Sequence, residues 1–261
     1  MSTLLGSLSW QDAAELDAER TVTLVPVAAL EQHGRHLPLD TDAFLVTRVV
    51  EAAAEQARAG EPVLVTPTIF AGSSEHHMEF AGTVSLRPET LAAVVRDVCS
   101  SLARHGFRRL LIVNGHGGNR AALAGAVQSP GFEAPVCLST LDYWTLAADV
   151  VARLRESPAG GMAHACEFET SLMLHLRPES VRMELIAREI PEPRFSLERL
   201  DLFRQGPLVA HWSTHELSRS GVLGAPDLAT AEKGRAFFEA CVSGLAGLIE
   251  ELRVVSLPAT G

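Results

Sequence analysis

Two imidazoles and three carboxylates fall within the twelve residues Glu31-Gln32-His33-Gly34-Arg35-His36-Leu37-Pro38-Leu39-Asp40-Thr41-Asp42. Nitrogen and oxygen donors without thiolates suit zinc, manganese or iron at a catalytic centre, whereas a closed structural zinc draws on cysteine. A polar loop would account for any one of these residues. It does not account for the set, because two further clusters stand in the same chain, Asn114-Gly115-His116-Gly117-Gly118-Asn119 and His164-Ala165-Cys166-Glu167-Phe168-Glu169. Together the three point to a metal site.

Spacing narrows the roles. Glu31 and His33 lie two apart, so at an extended strand end they point to the same side. His36 and Asp42 return to that side only if Gly34 and Pro38 turn the chain. Such a turn lets Glu31 and His33 face different ions with Asp42 between them, as carboxylates do where two ions sit about 3.5–4 Å apart. His36 and Asp40 are then placed to orient ligands through hydrogen bonds rather than to bind. His116 sits in a glycine-rich turn that lets the backbone approach a ligand, although the turn matches neither GxGxxG nor the P-loop. Glu167 and Glu169 are two apart on a helix and point about 200° from each other, so only one faces the ions. His164, just ahead of that helix, is available as a general acid–base.

The clusters need strands and helices to bring them together. Thr21–Leu30, Pro62–Phe70, Arg109–Val113 and Pro135–Leu141 read as strands. Helices are expected at 41–58 with Thr41 as cap, at Pro88–His105, from the glycine turn through Val127, at Glu167–Leu176 and at Thr230–Arg253. Strands alternating with helices imply βαβ units, hence an α/β fold with a mostly parallel central sheet flanked by helices. Side chains at the strands' carboxyl ends then line the crevice where open α/β sheets bind ligands. Arg188–Leu208, with three prolines, reads as a long excursion within one domain spanning residues 1–261.

Composition excludes several classes. At 261 residues, 47% apolar and 21% charged, the chain has enough apolar sequence for a large core. A net charge of −10 argues against nucleic acid as a partner. Cys99, Cys137, Cys166 and Cys241 form no CxxC pair; Cys99 and Cys137 read as small buried hydrophobes, and for Cys166, inside the third cluster, packing ranks ahead of an approach to the metal. No apolar run approaches a membrane span, and Met1–Trp10 lacks the features of a signal peptide, so a cytoplasmic, membrane-free protein is expected.

Five motifs taken together resemble the creatininase family of metal-dependent amidohydrolases. They are Glu31-Gln32-His33-Gly34-x-His36-Leu37-Pro38-Leu39-Asp40-Thr41-Asp42, Gly72-x-Ser74-x-x-His77-x-x-Phe80-x-Gly82-Thr83, Asn114-Gly115-His116-Gly117-Gly118-Asn119, His164-Ala165-x-x-x-Glu169-Thr170-Ser171, and Ser220-Gly221-Val222-Leu223-Gly224 running into Ala229-Thr230-Ala231-Glu232-Lys233-Gly234. The resemblance implies a three-layer α/β sandwich, a homohexamer built as a trimer of dimers, and two divalent ions, zinc first and manganese or iron after it. Glu31 and His116 would bind one ion, His33 the other, and Asp42 would bridge. Creatininase carries a glutamate where this chain has Gly118, so the second ion needs another carboxylate. The Glu-Thr-Ser motif selects Glu169, with Glu167 second. Creatininase also carries a pocket tryptophan where this chain has Gly160, which leaves Trp144 to supply a wall.

The implied activity is hydrolysis of a C–N bond in a small amide, cyclic amides included, by a water bridging the ions. His164 protonates the leaving nitrogen, and Arg35, Ser74, His77 and Trp144 contact substrate. The rivals are a peptidase trimming a short peptide such as the mycofactocin precursor, a formylamino-pyrimidine deformylase, and a non-catalytic metal-binding module.

Overall fold

The computed structural model describes residues 3–57, 62–129, 131–132, 134–204 and 206–257. A short helix, Trp10–Ala14 (α1), starts at a Ser9–Asp12 capping box and leads to Val22–Val27 (β1). Every residue of β1 is buried, as a strand covered by helices on both faces requires. Thr41–Gln56 (α2), Val63–Val65 (β2), Pro88–Arg104 (α3), Arg109–Asn114 (β3), Arg120–Gln128 (α4) and Cys137–Asp142 (β4) follow. The four strands pair in parallel in the order β2-β1-β3-β4. Ala148–Leu154 (α5), Met162–His164 (β5), Glu167–Leu176 (α6), Thr214–Leu217 (α7), Leu223–Gly224 (β6) and Ala231–Val254 (α8) complete the chain, with β5 and β6 antiparallel.

Alternation along the central strands feeds two cores. Val22, Leu24, Leu111 and Val113 pack on one side against Leu45, Val46 and Val49 of α2 and Phe237, Cys241 and Leu245 of α8. Val25, Val27, Leu110 and Ile112 pack on the other against Leu91, Val95 and Cys99 of α3 and Leu123 of α4. Each such side chain contributes about 1.5–3 kcal/mol on burial, so a three-layer sandwich holds the sheet's carboxyl edge rigidly.

Some boundaries differ from the sequence expectation. Pairing of β1 with β3 ends at Val27, opposite Asn114, and the chain beyond it is the loop that carries the first cluster. The expected strand over Pro62–Phe70 shrinks to Val63–Val65 plus an isolated bridge of Ile69 to Val27, because Pro67 cannot donate to a ladder. Asp40, not Thr41, occupies the cap position of α2. Thr41 is its first helical residue and donates its hydroxyl to the Pro38 carbonyl at 2.7 Å. Arg58, the expected last residue of α2, lies outside the described residues. Thr230 does cap α8, accepting from the Lys233 N–H at 3.2 Å. The excursion at 188–208 forms no helix or strand among its described residues and is tied down by Asp201, whose carboxylate meets Arg155 at 2.6 Å. No helix among the described residues is long and apolar enough to cross a membrane.

Candidate metal centre

The loops after β1 and β3, neighbours at the middle of the sheet, deliver the first donors to one point. After β1 the chain passes Glu31 and His33, both fully buried, and reverses at Gly34, whose φ is +66°. A side chain at Gly34 would run into Val222 and His36, so the turn needs glycine for both conformation and space. The reversal brings Asp42 back at the N-terminus of α2, where the helix dipole favours a carboxylate. After β3, Asn114 fixes the turn by accepting from the His116 N–H at 3.1 Å and donating to the His116 carbonyl at 2.8 Å.

Backbone carbonyls decide where the imidazole lone pairs point. His33 Nδ1 lies 3.1 Å from the Glu31 carbonyl, which can only accept, so the proton sits on Nδ1 and Nε2 is free. That Nε2 faces Asp42 Oδ1 at 3.1 Å and Glu169 Oε1 at 3.8 Å. His116 is the mirror case. Its Nε2 donates to the Ser73 carbonyl at 3.1 Å, leaving Nδ1 to face Glu31 Oε1 at 3.2 Å and Asp42 Oδ2 at 3.3 Å. The two oxygens of Asp42 therefore each face a different histidine.

These residues fit divalent cations. Glu31 Oε1 and Oε2 and Asp42 Oδ2 are buried with no hydrogen-bond partner, a costly arrangement for carboxylate oxygens unless a cation satisfies them. Proton equilibria express the same need for positive charge. Burial works against a charged His33, but Asp42, Glu169 and Glu31 prevail and carry its pKa to about 9. Burial likewise opposes a charged His116, yet Glu31 and Asp42 hold its pKa well above the usual value. Burial raises Glu31, and the stronger pull of His116 and His77 brings it well below the ordinary carboxylate range. Among the described residues, three donor groupings have their ligand atoms mutually within 4.8 Å: Glu31–Asp42–His116, His33–His164–Glu169 and Glu31–His77–His164.

The remaining donors come from β5 and α6. His164 ends β5 and Glu169 lies in the first turn of α6, separated by Ala165 at φ +48° and Cys166. A left-handed alanine costs about 1–2 kcal/mol, and here it swings the chain so that strand and helix both reach the cluster. Glu169 turns inward. Its Oε2 accepts from the Cys166 N–H at 3.1 Å while Oε1 faces His33, and burial raises its pKa. Glu167 turns away and accepts from Lys233 Nζ at 2.7 Å and from the Glu156 and Ser157 N–H groups at 3.1 and 2.9 Å. Burial keeps the Cys166 thiol well above its usual pKa, so it stays a neutral packing group.

Other candidates land in different places. His36 is buried beneath the site and meets Thr170 Oγ1 at 2.9 Å, next in sequence to Glu169; burial and then the charge of His33 lower its pKa to about 4. Asp40 points outward into a forked pair with Arg177, at 2.6 and 3.1 Å, and touches no donor of the cluster. Arg35 is exposed, and Ser74 is buried with an unpartnered hydroxyl. Neither is among the walls of the cavity of about 160 Å³ that opens beside Asp42, His77, His116, His164 and Glu169. Trp144 and Tyr143 do form its walls.

Sequence reasoning missed His76 and Gln32. The ring of His76 lines the cavity, stacked on His116 at 5.6 Å. Burial first, then the neighbouring His77 and His116, bring its pKa down to about 3. Its place beside the motif histidine was the available signal. Gly118 explains an absence: a Cβ there would lie 2.5 Å from His116 Nε2 and 2.9 Å from His76 Cε1, and would run into the Ser73 carbonyl.

A parallel α/β sheet with nitrogen and oxygen donors gathered beside a cavity at its carboxyl edge is the architecture of a metal-dependent enzyme. The chain belongs to the creatininase family, whose model, described as "Creatininase: Creatinine amidohydrolase", matches residues 6–249; hydrolases of this family act on carbon–nitrogen bonds. It is 35% identical over 252 residues to the "Mycofactocin precursor peptide peptidase" of Mycobacterium ulcerans (strain Agy99), covering 93% of this chain and 92% of that protein. It is 32% identical over 266 residues to the "Creatinine amidohydrolase" of Pseudomonas putida, covering 96% and 97%. A solved creatininase variant of Zn-Zn type superposes with a TM-score of 0.79 at 30% identity, covering 96% of this chain and 98% of that one.

Proposed function

We propose that this protein hydrolyses a C–N bond in a small amide with the help of two divalent ions. Glu31, Asp42 and His116 would hold one ion, and His33, Asp42 and Glu169 the other. The observation that carries this reading is the pair of imidazole lone pairs aimed at the separate oxygens of one carboxylate, Asp42, at 3.1 and 3.3 Å. The site calls for positive charge at these two nitrogens, met by protons when no cation is there and by the ions when they bind. When bound, such ions polarise a carbonyl and lower the pKa of a water from 15.7 to about 7 in favourable cases. The donor types suit zinc, with manganese or iron as the alternatives.

The chain's own residues supply the proton handling and the walls. His164 donates from Nε2 to the Gln32 carbonyl at 2.7 Å, so Nδ1 is the nitrogen turned toward Glu31, 3.6 Å away. Burial, then His77 and His33, hold its pKa well below the usual value, so the resting imidazole is neutral. His164 Nδ1 takes a proton from the attacking water and passes it to the leaving nitrogen. Trp144, buried and with no acceptor for its indole N–H, closes one wall of the cavity.

A second reading, a peptidase acting on a short peptide, is favoured by one feature. A further cavity of about 270 Å³ adjoins the first and shares Ala163, Leu202 and Leu223 with it. The joined space suits a substrate longer than a cyclic amide. Its relatives include both a peptidase and a creatinine amidohydrolase by name. We take the assembly to be a homohexamer, which light scattering would check.

The test is elemental analysis followed by assays on a panel of cyclic amides and short peptides. Two divalent ions per chain are expected, with hydrolysis abolished by a chelator and restored by zinc or manganese. Fewer than one ion per chain, with no hydrolysis of either substrate class, would overturn the reading. Turnover of peptides alone would select the second form of it.

A further inference from the structure

The third donor grouping, Glu31–His77–His164, looks on distance alone as ready for an ion as the other two. Gln32 makes it unfit. The Gln32 amide is oriented by two backbone groups: its Oε1 accepts from the Gly34 N–H at 2.9 Å, and its Nε2 donates to the Gly221 carbonyl at 3.0 Å. Neither contact survives exchange of the amide's oxygen and nitrogen, so the orientation is fixed by chemistry. A second N–H then remains on Nε2, with two imidazole nitrogens near it, His77 Nδ1 at 2.8 Å and His164 Nε2 at 3.0 Å. His164 Nε2 already donates to the Gln32 carbonyl. Two donors cannot bond each other, and the remaining N–H goes to His77 Nδ1.

We propose that Gln32 is a positioning residue that fixes the tautomers of the two imidazoles beside it. A neutral His77 that accepts at Nδ1 carries its proton on Nε2, because the hydrogen bond at one ring nitrogen sets the state of the other. Nε2 lies 3.2 Å from Glu31 Oε1, so the His77 proton faces that carboxylate and His77 has no lone pair to offer an ion. The Gln32 main-chain carbonyl does the converse for His164, holding its proton on Nε2 and leaving Nδ1 free. One residue thus makes His77 an orienting group for a ligand and His164 a proton acceptor. Thr214 Oγ1, 2.9 Å from His77 Nδ1, can donate or accept and follows whichever state Gln32 imposes. The inference rests on the reading that Glu31 binds an ion, but its test does not.

The test is nitrogen-15 NMR of histidine-labelled, zinc-loaded protein, with the His77 signals assigned by their loss in His77→Gln. The parent is expected to show an unprotonated Nδ1 and a protonated Nε2 for both His77 and His164. In Gln32→Glu, an oxygen replaces the donating nitrogen, and His77 must turn a proton toward it, so a protonated Nδ1 is expected. Gln32→Met removes the donor without adding an acceptor, and the single-tautomer pattern of His77 should be lost. A parent whose His77 carries its proton on Nδ1 overturns the inference, whether or not Gln32→Glu folds. So does a folded Gln32→Met that keeps the parent pattern, which would give the role to Glu31. Elemental analysis of the same sample separates the two claims. Empty sites with a protonated His77 Nε2 defeat the metal reading alone, whereas filled sites with a protonated Nδ1 defeat this inference alone.

Discussion

The donors on the parallel sheet and the donors on β5 and α6 are held by different means. Glu31, His33 and His116 sit on loops that leave adjacent central strands, Asp42 opens α2, and both histidines are locked by main-chain carbonyls, Glu31 and Ser73. His164 is locked in the same way, by the Gln32 carbonyl, but both it and Glu169 depend for their place on how β5 and α6 lie against the rest of the molecule. They flank a left-handed Ala165, and α6 is anchored through Glu167 to Lys233 at the start of α8. In the sheet half, Glu31, His33 and His116 are set by main-chain turns at the ends of central strands, and only Asp42 rides on a helix. The α6 half is set by how one helix lies on another, and it is the place where loading of an ion can be lost alone.

Asp42→Ala breaks the comparison most severely, because Asp42 serves both halves. Both ions should be lost and hydrolysis should fall to background, since two cations without a shared carboxylate repel each other. Elemental analysis that still finds two ions would mean that Asp42 is not shared. Glu169→Gln tests the α6 half alone. The ion on His33 should go while the one on Glu31 and His116 stays, giving one ion per chain. Loss of both would show the halves to be less separable than their anchoring implies.

His164→Ala should keep both ions and lower kcat by about 10²–10⁴, the range for a missing acid–base group; a fall in metal content would instead make His164 a ligand. Glu167→Gln sharpens the anchoring claim. It should leave both ions bound but cost about 1–2 kcal/mol at neutral pH, by weakening charge-assisted hydrogen bonds. Burial opposes the charged Glu167, but Lys233 and the Ser157 and Glu156 amides lower its pKa below the usual carboxylate value. Its contribution is therefore present above about pH 4.5 and lost as the pH falls through the lowered value. The gap in Tm between parent and variant should close in acid, and a gap that persists there would implicate packing rather than charge. The smallest effect belongs to Ala165→Gly. Relief of the left-handed conformation, offset by glycine's greater freedom when unfolded, should raise stability by less than about 1 kcal/mol, and a thermal melt showing destabilisation would mean that the alanine methyl contributes packing the conformation does not reveal.

The parallel sheet was legible because Val22–Val27 and Arg109–Asn114 are runs that only a strand buried on both faces would carry. The first cluster was legible because its donors are packed into one short loop whose turning points, Gly34 and Pro38, are written in the sequence. Asp40 was misjudged as a residue orienting the ligands because its partner, Arg177, is far along the chain, and no local pattern signals which of two neighbouring aspartates turns inward. β5 and β6 are too short for any periodicity to register. The cavity-lining His76 hides next to a motif histidine, and the Gln32 network depends on a carbonyl at Gly221 that sequence spacing cannot place. Lys233, the chain's only lysine, carries no local pattern that marks it, yet it is nearly buried between Glu167 and Glu156.

Gly118 has a consequence for how such a site can change over generations. With the Ser73 carbonyl, His116 and His76 all crowding the space its side chain would fill, a glutamate cannot arrive there by one replacement without displacing a strand-end loop. A lineage with this backbone that lost Glu169 would have no neighbouring carboxylate one mutation away. The route back must first move the main chain at Ser73 and the ring of His76, both of which touch His116 while the site is still in use. The present arrangement is thus held by the scarcity of viable next steps as well as by its own stability.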